Sequence, residues 1–149
     1  METQQSGIKW RSVVWAAVLM FIIPFLISFL IVAIYPTYVG FSTRGDPAQI
    51  NAAIQAVGSS IVYKVIVYAA YAAVALWRSY VLVKKVAAQH LLHVGIAVVI
   101  AAVLVFAYYI TGSQGALGAI WNEVLIITIM LAGGAYLGTL LKPSKTAQA

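Results

Sequence analysis

Four apolar runs, each 20 residues or longer, constrain this chain more than anything else in it: 13–34, 54–77, 91–110 and 120–141. A helix rising 1.5 Å per residue needs about 20 such residues to cross a ~30 Å hydrocarbon core. Backbone groups in lipid have no water to bond to, so each run is expected to satisfy its own donors and acceptors as a helix. Composition agrees. The residues AVILMFWYC make up 64% of the 149 and only 8% are charged, whereas a soluble domain carries about a quarter charged residues to cover its surface. The expected fold is all-α, an integral-membrane four-helix bundle forming a single membrane domain over residues 1–149, with the lipid bilayer as its solvent.

Orientation follows from the segments between the runs. Lys9 and Arg11 precede the first run, Arg78, Lys84 and Lys85 follow the second, and Lys142 and Lys145 follow the fourth. These seven basic residues fall on one side, with Arg44 alone on the other. Both termini and the middle loop are therefore expected on the cytoplasmic face of a cell membrane. Trp10, Trp15, Tyr35, Tyr38, Trp77, Tyr108, Tyr109 and Trp121 sit near the ends of runs, as interfacial anchors do. The first run follows two basic residues, as a signal peptide would, but it is too long for a signal h-region. No small-x-small cleavage site follows it, so it is expected to persist as a first span.

Several function classes drop out. The net charge of +6 flanks apolar runs instead of forming a patch, so nucleic acid is not an expected partner. Cysteine is absent, which excludes disulfides, thiolate metal sites and cysteine nucleophiles. Only three residues are acidic, and no phosphate loop or catalytic triad is visible. No enzyme activity, cofactor or metal site is expected. His90 and His93 share a helical face at spacing i, i+3; a metal, haem or pigment would need a further ligand, and apart from Glu2 their side offers no acidic residue or cysteine.

Local signals fill in the rest. Pro24 removes a backbone donor inside the first run and predicts a kink. Asp46, Pro47 and Gln49 have the form of an N-cap, an N1 proline and a capping-box partner, so a helix is expected to begin near Pro47. Capping accounts for Asp46 without invoking the adhesion tripeptide Arg44-Gly45-Asp46. Gly134 and Gly138 form a Gly-x-x-x-Gly pair, with Ala69 and Ala73 as a small-residue counterpart, suited to close helix packing within the bundle or between subunits. The segments 70–79 and 135–144 share Ala-Tyr, a leucine and a final serine, a similarity that chance among apolar segments explains.

Lys64 is the exception among these apolar runs. It lies about 21 Å before Arg78 along a helix, where an ammonium costs on the order of 2.5–3.5 kcal/mol. Glu123, at the start of the fourth run, is the one carboxylate within reach of it. Ser60, Lys64, Tyr68 and Tyr71 fall on one helical stripe, so the candidate intramembrane polar site comprises Lys64, Glu123, Ser60, Tyr68 and Tyr71. Two functions compete. One is an accessory or structural subunit that packs against other membrane protein subunits or associates with itself. The other is a protomer of an oligomeric small-solute or ion transporter or channel that uses Lys64.

Overall fold

A computed structural model of the chain describes residues 8–86, 89–112 and 117–141. It contains five helices: α1 (Trp10–Ser42), α2 (Pro47–Ser59), α3 (Ile61–Lys85), α4 (His90–Gly112) and α5 (Leu117–Leu140). Of these, α1, α3, α4 and α5 are long and apolar enough to cross a membrane.

The expected run 54–77 is not one helix. It is divided at Ser60, whose ψ of 128° is extended, so the second membrane-length helix is Ile61–Lys85. Gly58, Ser59 and Ser60 are weak helix formers in succession. The Ser59 hydroxyl bonds back to the Gln55 and Ala56 carbonyls, at 2.9 and 3.2 Å, and so competes with the backbone ladder. Downstream, nothing in 79–85 interrupts the helix. Lys84 and Lys85 occupy its last turn, where the negative end of the helix dipole favours them.

The first helix also outruns its apolar pattern. It has 33 residues and continues through both Pro24 and Pro36, each of them buried. At its end Arg44 and Gly45 take positive φ values of 55° and 82° and turn the chain into α2. Asp46 then caps α2 by accepting the Ala48 N–H at 2.9 Å, and Gln49 Nε2 donates to its second oxygen at 3.1 Å. The Arg-Gly-Asp sequence is thus a turn followed by a cap.

Packing places α3 between α5, its most extensive partner, and α1, while α4 closes the ring by contacting α1 and α5. Small residues let these backbones approach: the adjacent Ala16 and Ala17 on α1, and Ala97 and Ala101 one turn apart on α4, all fully buried, as are Met20, Ile127 and Leu131. The tightest seam is α3 against α5. A Cβ on Gly134 would run into the Ala72 carbonyl, and one on Gly138 into the Leu76 carbonyl. The Gly-x-x-x-Gly pair therefore serves packing within the chain. Its partners are Ala72 and Leu76, whereas Ala69 and Ala73 lie exposed at the edge of the seam.

Candidate functional site

The polar site forms where α3 and α5 begin. Lys64 Nζ donates to Glu123 Oε1 at 2.5 Å, and Tyr68 Oη donates to Glu123 Oε2. One carboxylate thus holds two residues placed one helical turn apart on α3. Lys64–Glu123 is the only ion pair among the described residues. It is not sealed, since the two side chains keep 39% and 25% of their exposure.

Its depth follows from the break at Ser60. With α3 running to Lys85, Lys64 stands about 30 Å from Lys84 along the axis, a full hydrocarbon thickness. The pair therefore sits at the end of the membrane-length segment, not in its middle. Lys64 lies in the first turn of α3, and the pair stays partly exposed.

Other expected members behave differently. The end of α2 takes Ser60 off the helical stripe: its carbonyl accepts the Lys64 N–H at 3.1 Å, and no hydrogen bond joins its hydroxyl to the cluster. Tyr71 is 4% exposed and belongs to the hydrophobic core, and it makes no hydrogen bond to the pair. Residues that the sequence did not single out for this site take their place. Ser28 Oγ and Tyr63 Oη share a hydrogen bond at 2.6 Å across α1 and α3. Together with Tyr108 and Tyr109 they line a cavity of about 340 Å³ that also reaches Lys64, Tyr68 and Glu123. The two α4 tyrosines carried a signal in the sequence, but as interfacial anchors. Only the crossing of α4 over α1 directs them to this cavity, where Tyr108 meets Phe25 edge-on with ring centroids 5.1 Å apart.

The opposite end gathers most of the basic residues. His93 is 1% exposed. Its Nε2 accepts the Lys9 backbone N–H at 3.1 Å and its Nδ1–H donates to the Gln89 carbonyl at 2.8 Å. Both ring nitrogens are committed to the backbone, so His93 ties the start of α1 to the start of α4 and is not placed to ligate. Gln89 takes a positive φ of 52°, and its carbonyl also accepts the His93 N–H at 3.2 Å. Lys9 Nζ reaches across to the Lys85 carbonyl at 2.9 Å, adding the end of α3 to the same junction. No group of three or more potential metal ligands occurs among the described residues.

Compared with known protein families, with curated proteins and with solved structures, the chain matches none of them.

Proposed function

We propose that this small membrane protein is an accessory or structural subunit that packs against another membrane protein, without catalytic activity of its own. The carrying observation is the overrun of α1. Counted from Arg11, a ~30 Å core ends near Ile31, so residues 32–42 extend about 16 Å past the level of the Lys64–Glu123 pair. There α1 and α2 form a projecting hairpin that leaves Ile34, Tyr35, Tyr38 and Phe41 exposed by 67, 49, 70 and 84%. An apolar groove of about 640 Å³ runs along the same hairpin between Pro36 and Ile50. Lipid tails cover apolar side chains at the level of the core but not beyond it, and a contiguous apolar patch in water marks a contact surface. The ion pair supports the same reading, because Glu123 already occupies the lysine that a transported anion would need.

With basic loops kept on the cytoplasmic side, the hairpin faces outward and both chain termini face inward. A single cysteine at Ser42 should then react with an impermeant thiol reagent from outside, and one at Ser144 should not. Labelling of both from outside would overturn this orientation. The subunit role is tested by purification in mild detergent with mass determination of the intact complex. The expected result is a complex heavier than this chain alone, which dissociates when Tyr38 and Phe41 are replaced by serine. A wild-type protein that runs as a bare monomer would sink the proposal.

One observation favours the transporter reading: the ion pair and five hydroxyl side chains face one cavity of about 340 Å³. On that reading, Glu123→Gln in proteoliposomes abolishes solute or proton flux at unchanged reconstitution.

A further inference from the structure

The basic end of the bundle holds a second cavity, distinct from that of the ion pair. It has a volume of about 360 Å³ and opens between the first turns of α1 and the last turns of α3. Arg11, Ser12, Arg78 and Lys85 line its polar part, and Trp15 and Leu19 continue its wall along α1 towards the apolar middle of the helix. Three cations thus share one space of ligand size. Among the described residues no carboxylate answers them: Asp46 caps α2 and Glu123 holds Lys64, both at the other end.

Arg11 and Lys85 are exposed at the mouth of the cavity, whereas Arg78 is half-buried in its wall. The Nε of Arg78 is buried and has no hydrogen-bond partner, while its guanidinium carbon lies 5.1 Å from the Trp77 ring centroid. A buried donor without a partner is costly, and the cost falls when an acceptor arrives. Lys9 adds a fourth positive charge at the rim, since its Nζ bonds to the Lys85 carbonyl at 2.9 Å. The start of α1 contributes the positive end of a 33-residue helix.

We propose that this cavity binds the phosphate of an acidic glycerophospholipid from the leaflet at the basic end. Charge selects an anion, and the forked donors of two arginines suit phosphate oxygens. Position selects the lipid over a dissolved ion. Along α3 the cavity spans about 21 Å (Arg78) to 32 Å (Lys85) from Lys64, from the outer part of a ~30 Å core to its headgroup edge, and Trp15 and Leu19 provide an apolar wall for the first part of an acyl chain.

The test uses the intact chain purified in a mild neutral detergent. Native mass spectrometry counts retained phosphatidylglycerol or phosphatidylcholine of identical acyl chains, and the thermal midpoint is followed in parallel. Phosphatidylglycerol should be retained at least about tenfold better than phosphatidylcholine, as three converging cations require. Arg78→Gln should reduce its retention about fivefold, the effect of one basic residue near a charged headgroup. Arg11→Gln, at an exposed position that the fold does not need, should do the same and serves if Arg78→Gln fails to fold. Lys84→Gln is the control, because Lys84 lies at the same end but packs over Tyr80 at 4.2 Å, and it should leave retention unchanged. Equal retention of both lipids would overturn the proposal. So would a loss with Lys84→Gln as large as that with Arg11→Gln, which would mean diffuse charge. Inorganic phosphate that raises the thermal midpoint as far as phosphatidylglycerol does would assign the cavity to a dissolved anion and overturn the lipid.

Discussion

The two ends of this bundle solve the problem of charge next to an apolar interior in opposite ways. At one end, Lys64 on α3 meets Glu123 on α5 and Tyr68 completes the carboxylate's bonding, so the cluster is neutral and closed within the chain. At the other, Lys9, Arg11, Arg78, Lys84 and Lys85 gather with no carboxylate among the described residues, and their bonds go to backbone carbonyls, aromatic rings or nothing. The first arrangement is a feature of one molecule. The second leaves positive charge without an answering carboxylate among the described residues, and it is this imbalance that the proposed lipid phosphate would meet. A lone carboxylate therefore tells more about self-sufficiency than a cluster of cations does.

The largest expected effect comes from separating the helices that the neutral end joins. In Gly134→Leu the new side chain drives into the Ala72 carbonyl, and overpacking at backbone contact is expected to cost about 3 kcal/mol or more. Zero-length carbodiimide coupling of Lys64 to Glu123, mapped by peptide mass, should disappear. The basic end joins α1, α3 and α4 without α5, so protease resistance of the junction around His93 should survive. Loss of both together would show that the two ends are not independent.

Next in size is the buried tie at the basic end. His93→Ala leaves the Lys9 N–H without its acceptor, while the Gln89 carbonyl keeps the backbone N–H of residue 93; one orphaned donor and the lost buried imidazole are expected to cost about 2 kcal/mol in detergent melts. An unchanged melting midpoint would mean that water replaces the imidazole at no cost.

Breaking the ion pair should cost less than its geometry suggests. Removing one member of a buried pair is worth about 3–5 kcal/mol, but Lys64 keeps 39% of its exposure, and solvent screening lowers the expectation to about 1–2 kcal/mol. Lys64→Met and Glu123→Gln should each destabilise by that amount, while the double variant recovers most of it. Zero coupling energy in the cycle would mean that the neutral end is neutral by accident of position.

The smallest effect should be at the cationic cavity in the absence of lipid. Arg11→Gln is expected to change stability by less than about 0.5 kcal/mol in neutral detergent, since no partner in the chain is lost. A clear stabilisation would instead measure the repulsion among Arg11, Arg78 and Lys85 that a lipid phosphate relieves.

The sequence alone determined that the chain folds into helices of which four are long and apolar enough to cross a membrane, because apolar run length and the scarcity of charge are properties that no tertiary arrangement can reverse. It also pointed Lys64 to Glu123, since one carboxylate near a single deep lysine leaves little choice. The Asp46 cap was equally legible, because capping depends on neighbours within a few residues. The division of the second run at Ser60 is local too, since the Ser59 hydroxyl competes with the ladder, but run length hides it; it moved Lys64 to the end of the helix and took Ser60 out of the site. Other features were decided only in three dimensions. Gly134 and Gly138 had two possible uses until Ala72 and Leu76 were found against them. Tyr63, Tyr108, Tyr109 and Ser28 meet at one cavity only because α1, α3 and α4 converge there, and Arg11 and Arg78 face one space only because α1 lies against α3. Periodicity along a chain reports which residues share a face of one helix; which faces meet is decided by packing between segments far apart in sequence.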